Sequence, residues 1–172
     1  SGNVVELKDG GASLGKLVVS SYLDNTAASN AGAVRLYSIT DGALLATLTG
    51  STASDCVGSD GVTALSNGNY VVRSSSWDNG TAVNAGAVTW GSGVSGVTGV
   101  VSSTNSLVGS TASDSVGYTS VTELSNGNYV VRSYYWDNGT AVNAGAVTWG
   151  SGASGVTGVV SSTNSLVGST AS

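Results

Sequence analysis

The stretch NYVVRSSSWDNGTAVNAGAVTWGSG starting at Asn69 returns as NYVVRSYYWDNGTAVNAGAVTWGSG at Asn128, 59 residues on (128 − 69 = 59). A chain that repeats itself this closely must build the same local structure twice and bury the same faces twice. Residues 50–108 and 109–167 align without gaps and differ only at positions 56, 59, 60, 61, 64, 75, 76 and 94 and their partners 59 later. Residues 1–49 form a divergent copy. In it, LVVSSYLDNTAASNAGAVRLY (17–37) lines up with YVVRSSSWDNGTAVNAGAVTW (70–90), and LLATLTGSTASD parallels NSLVGSTASD. A terminal copy of an array diverges because one of its faces has no neighbour. The final GSTAS (168–172) opens a further copy, as it would in a piece of a longer array.

Within a repeat the pattern is that of strands. GVTAL (61–65), NYVVRS (69–74), AGAVTWG (85–91) and VTGVVSS (97–103) are predicted as four short strands, divided by SNG, WDNG and a Gly/Ser stretch. Asn67-Gly68 predicts a type I′ hairpin turn, and AVRLYSITDGALLATL in the first copy reads as strand, Asp-Gly turn, strand. No segment keeps a helical period. The expected class is all-β, with three tandem four-stranded antiparallel propeller-like blades at 1–49, 50–108 and 109–167, and 168–172 starting another. A β-solenoid with two coils per period is the alternative architecture.

Composition narrows the function. Five Lys and Arg against ten Asp and Glu give a net charge of −5. Nucleic acid, which needs clustered cations, is therefore not an expected partner. Low charge with much Val, Thr, Ser and Gly is unlike a disordered tail and resembles secreted or cell-surface β-material. No apolar run reaches the roughly 20 residues of a membrane-spanning helix. Cys56 is the single cysteine and stands where the next repeat has Ser115, as a small space-filler does.

DSVGYTSVTELSNGNYVV (114–131) followed by AGAVTWG (144–150) resembles the FG-GAP repeat of integrin-α-type β-propellers, and the near-identical repeats of large bacterial haemagglutinin or adhesin surface proteins. Val116-Gly117 stands in the Phe-Gly place, Ser120-Val121 in the following strand and Gly145-Ala146-Val147 in the later one. The resemblance implies a blade fold and a role in adhesion. It departs from the family at RSS (73–75) and RSY (132–134), which replace Gly-Ala-Pro, and at LSNGNY, which has no carboxylate where the family has its acidic calcium loop. Calcium is not carried over, because a hard cation needs several oxygen ligands, carboxylates among them.

Candidate site residues lie in the turns. Asp78 and Asn79, with Asp137 and Asn138, form a polar loop that either closes an Asx-turn or meets a cation or sugar hydroxyl. Trp90 and Trp149 lie in an apolar strand and are expected in the core. Trp77 and Trp136 head a loop, where a tryptophan is a wedge between units if buried and a contact platform if exposed. Five of the eight differences between repeats fall in two knots: Ser59-Asp60-Gly61 against Tyr118-Thr119-Ser120, and Ser75-Ser76 against Tyr134-Tyr135. Trp77, Trp136, Tyr118, Tyr134 and Tyr135 are therefore the candidate contact surface, since Tyr and Trp are enriched at recognition sites.

With no histidine, a Ser-His-Asp or Cys-His arrangement is impossible, and no catalytic residue, metal ligand or cofactor is assigned. The sequence points to a non-enzymatic extracellular adhesin or scaffold, secreted or at the cell surface. It would act as a homo-oligomer or as part of a longer array, with a surface protein as partner. A carbohydrate-binding lectin using the loop aromatics on a glycan is the alternative. Chelation with EDTA is expected to leave the thermal midpoint unchanged; a fall of several degrees that Ca²⁺ restores would refute the missing calcium loop.

Overall fold

The computed structural model describes residues 2–172 and, over those residues, is all-β, as expected. Three antiparallel meanders follow one another. The first joins β1 (Val4–Asp9), β2 (Ala12–Ser21), β3 (Ala33–Ser38) and β4 (Leu44–Thr49) in sequential order. The second runs through β5 (Val62–Ala64), β6 (Tyr70–Ser74) and β7 (Ala87–Gly91), passes β8 (Gly99–Val100), and ends in β9 (Ser106–Val108). The third repeats that course with β10 (Ser120–Glu123), β11 (Tyr129–Ser133), β12 (Ala146–Gly150), β13 (Gly158–Val159) and β14 (Ser165–Val167).

The short strands β8 and β13 do not join their own meanders. β8 pairs in parallel with β4 (Leu48↔Gly99, Thr49↔Val100), and β13 pairs likewise with β9 (Leu107↔Gly158, Val108↔Val159). Each repeat thus lays a strand on the edge of the unit before it. This corrects the expected fourth strand at 97–103: residues 106–108 hold that place. Val101 is buried, and its N–H donates to Thr49 O (3.0 Å), so its burial and pairing both come from the preceding unit. The parallel between LLATLTGSTASD and NSLVGSTASD already carried this signal, because both strands stand directly before GSTASD.

The SNG hairpin also differs from expectation. Gly68 is left-handed (φ +83), whereas Asn67 has no positive φ. Gly68 N–H donates to Leu65 O (3.0 Å), and Leu65 N–H donates to Asn69 O (2.8 Å). This is a three-residue loop that ends in a left-handed glycine, not a two-residue I′ turn. The same loop recurs at Leu124–Asn128.

Strand alternation sets the core between units rather than within them. On β6, Tyr70 and Val72 pack with Leu7, Val18, Leu36 and Leu48 of the first unit. Val71, between them, points the other way and packs with Val116, Tyr129 and Val131 of the third repeat. Successive side chains on a strand face opposite sides of the sheet, so the middle unit needs a neighbour on each side.

A loop rich in backbone hydrogen bonds joins the units. Asp114 is buried; its Oδ2 accepts from Ser110 N (2.9 Å) and Thr111 N (2.8 Å), and its Oδ1 from Asp137 N (3.0 Å). Asp55 does the same with Ser51, Thr52 and Asp78. On either side of Asp114, the N–H groups of Ser113, Ser115 and Val116 donate to the carbonyls of Val83, Asn84 and Ala85 of the preceding unit (2.9, 3.1 and 3.0 Å). Ser54, Cys56 and Val57 bond to Ser29, Asn30 and Ala31 in the same way. Gly86 lies beneath this junction with φ +77, and a Cβ there would come within 2.3 Å of Val116 N.

Burial pushes the Asp114 carboxyl above its ordinary range, against the pull of the N–H groups that hold it. Removing the carboxylate leaves three backbone donors without an acceptor. Asp114→Ala is expected to lower the unfolding free energy by about 3 kcal/mol in a urea titration. A change within about 0.5 kcal/mol would mean that water replaces the carboxylate there.

Candidate functional site

The two knots of sequence difference meet in space. Tyr118 follows the inter-unit loop, and Tyr134 and Tyr135 follow β11, yet Tyr135 lies 5.4 Å from Tyr118 and 5.2 Å from Tyr134 between ring centroids. The first pair is tilted at 56° and the second is edge-on at 88°, both favourable for rings whose faces are negative and edges positive. All three rings are exposed. The patch therefore presents apolar ring surface to solvent.

In the preceding repeat the same place holds a polar latch. Asp60 Oδ2 accepts from Ser75 N (2.7 Å) and lies 3.1 Å from Ser59 Oγ. Thr119 stands where Asp60 would, and has no carboxylate to offer Tyr134 N. The two knots thus changed as one group: losing the carboxylate on one loop accompanies gaining rings on both. Nothing in the local sequence places 118 beside 135. The meander does, by bringing the start of β10 alongside the end of β11 (Ser120↔Arg132).

Burial selects the wedge alternative for Trp77 and Trp136, and the core expectation for Trp90 and Trp149 is corrected. Trp77 and Trp136 are buried, one in each inter-unit core, and neither belongs to a contact surface. They fill the space where the loop turns inward, and neither indole Nε1–H finds an acceptor among the described residues. Trp90, expected in the core, is half-buried and donates from Nε1 to Gly152 O (3.0 Å) in the next repeat. Trp149, its twin, is 54% exposed.

The polar loop is occupied by the fold. Asp78 Oδ1 accepts from Asn84 N (2.7 Å) and Asp137 Oδ1 from Asn143 N (2.7 Å), each closing its own loop. Asn79 and Asn138 donate from Nδ2 to Gly109 O and Gly168 O (2.8 Å each). Asp78, Asn79, Asp137 and Asn138 therefore act in loop closure and tie the loop to the chain that leaves the unit. Among the described residues no group of three or more Cys, Asp or Glu gathers to hold a metal.

Two contributors escaped the sequence reading. Arg73 donates to Asp60 O in its own repeat and, through Nη1, to Gly117 O (3.2 Å) and Tyr118 O (3.3 Å) in the next. It clamps the loop that carries the first tyrosine. Glu123, where the preceding repeat has Ala64, accepts at Oε1 from Ser66 N (2.7 Å) and Ser66 Oγ (2.6 Å) of that repeat. A signal for the junction was present, since Asn-Ala-Gly recurs in all three copies at 30–32, 84–86 and 143–145. Its asparagine is left-handed each time, with φ of 53, 53 and 51.

Among curated proteins no match is found. A family model matches residues 64–118 and again residues 123–172, and the two matches start 59 residues apart (123 − 64 = 59). Each match begins at the end of a first strand and runs on through β6, β7 and β9, or their third-repeat counterparts, into the junction segment that follows. The chain belongs to the DUF5650 family, a repeat of unknown function.

Proposed function

We propose that this protein is a non-enzymatic β-repeat scaffold of the cell surface or extracellular space, which makes protein contacts through Tyr118, Tyr134 and Tyr135. The observation that carries the reading is the exposed tyrosine trio, assembled from two separate loops and absent from the otherwise near-identical repeat. Exposed tyrosines offer large, fairly rigid contact area at low entropic cost. The low charge and the carboxylates held by backbone N–H groups support a structural role over a catalytic one. The sequence resemblance to FG-GAP propeller repeats, together with the sequential four-stranded meanders, supports reading each unit as a propeller-type blade in an adhesin-like array.

The lectin alternative keeps only the tyrosines as sugar platforms, because Trp77 and Trp136 lie buried. A glycan array separates the two readings: binding to a defined glycan that disappears with the tyrosines would favour the lectin.

Replacing both Tyr134 and Tyr135 by Ser restores the residues of the preceding repeat. Stability is expected to change by no more than about 0.5 kcal/mol, as is usual for exposed positions. Self-association measured by light scattering is expected to fall, since exposed aromatics carry much of a contact. Early unfolding with the assembly state unchanged would place the pair in the fold's own packing. If neither property moves, the patch has no contact role.

A further inference from the structure

The two junctions inside the molecule define what the far face of the third unit lacks. At the first junction Leu48 of β4 is fully buried beneath the strand laid on it by the next repeat, and at the second Leu107 of β9 is buried in the same way. Leu166 of β14 occupies the same place in the third unit and is 80% exposed. No strand covers the outer edge of β14 among the described residues. Val88 on β7 is buried, while its twin Val147 on β12 is exposed.

The polar groups of this face are equally open. Arg73 clamps two carbonyls of the following repeat, but the side chain of its twin Arg132 has no partner among the described residues. The carbonyls of Ala31 and Ala85 accept from Val57 and Val116 (3.0 Å each), whereas among the described residues no bond reaches that of Ala144. A Cβ on Gly86 would strike Val116 N at 2.3 Å; on Gly145, which has nearly the same φ (+76), the nearest atom is Tyr134 O at 3.4 Å. A groove of about 340 Å³ stands there, lined by Arg132, Tyr134, Gly145, Val147, Leu166 and Gly168. The incoming segment is already aligned: Ser172 N donates to Val142 O (3.3 Å), as Ser113 N does to Val83 O. In the internal copies the next residue is the buried aspartate.

We infer that the open face of the third unit is a preformed receptor for one further copy of the same 59-residue repeat, entering directly after Ser172 with an Asp-x-Val-Gly segment. The expected contacts follow from the period. Its valine N–H would meet Ala144 O over Gly145, its glycine carbonyl would meet Arg132, and its reach-back strand would cover Leu166 and pair with β14. A second copy of this chain does not match the face through its first unit. There β3 and β4 are joined by residues 39–43 alone, with no strand like β8 to lay on β14.

The test is a lengthened chain in which residues 114–172 are repeated after Ser172. Three results are expected. The thermal midpoint rises by at least about 5 °C, because each added interface contributes to an array. Oxidative labelling of Trp149, read by mass spectrometry, falls to the level of Trp90. Gly145→Ala, opposed in the 172-residue chain by its left-handed backbone alone and so less destabilising than Gly86→Ala, becomes as destabilising as Gly86→Ala. A shorter variant that adds only the copy of residues 114–117 guards against misfolding of the long one. It is expected to raise the midpoint by a smaller amount, and Gly145→Ala should abolish the gain. An unchanged midpoint in both variants, or Trp149 labelled as before in a folded long chain, would overturn the inference. So would a dimer of the 172-residue chain in which Trp149 is already protected, since a second copy would then own the face.

Discussion

Everything in this molecule depends on strands that are apolar on both faces. An antiparallel meander that meets water on one side can alternate apolar and polar residues. β6 does not: Tyr70, Val71 and Val72 are all buried, two toward one neighbour and one toward the other. Such a sheet is stable only between two others, which makes the unit–unit interface the real core. The repeat period is the sequence expression of that requirement, because an identical face needs an identical partner.

Stacking apolar sheets brings loop backbone into the interface, and those polar groups must be paired. The buried Asp55 and Asp114 each take three N–H groups, and Asn79 and Asn138 hold the departing chain. Once the loop is fixed, its own N–H groups reach carbonyls of the previous unit. Alternation settles the apolar packing, and this junction settles the register. The differences between the two full repeats respect both. Val94 is exposed, Cys56 and Ser115 are small residues at equivalent left-handed positions, and Glu123 adds a bond across the junction from its rim.

The tyrosine patch is the clearest departure from strict repetition. It lies beside the junction but outside the buried core, so the interface keeps its geometry while the surface changes character. Replacing Asp60 by Thr119 removes the acceptor that Ser75 N uses, and three rings then pack on one another in its place. A change of this kind costs the fold little, because both versions leave the strands beneath untouched. It gives one unit an exposed aromatic patch that its neighbour lacks.

The sequence by itself determined the period, the all-β class, the places of the first three strands in each full repeat and the hairpin sites, because these depend on local alternation and on turn residues. It also located the two knots where the repeats differ. Only the tertiary structure decided which residues those knots bring together, which tryptophans are buried, and that residues 99–100 and 158–159 serve the preceding unit. AVTWG occurs at 87–91 and again at 146–150 with the same letters and the same strand, yet Trp90 is half-buried and Trp149 lies open. Local sequence sets the direction of a side chain, but burial requires a second surface, and that surface comes from residues far along the chain.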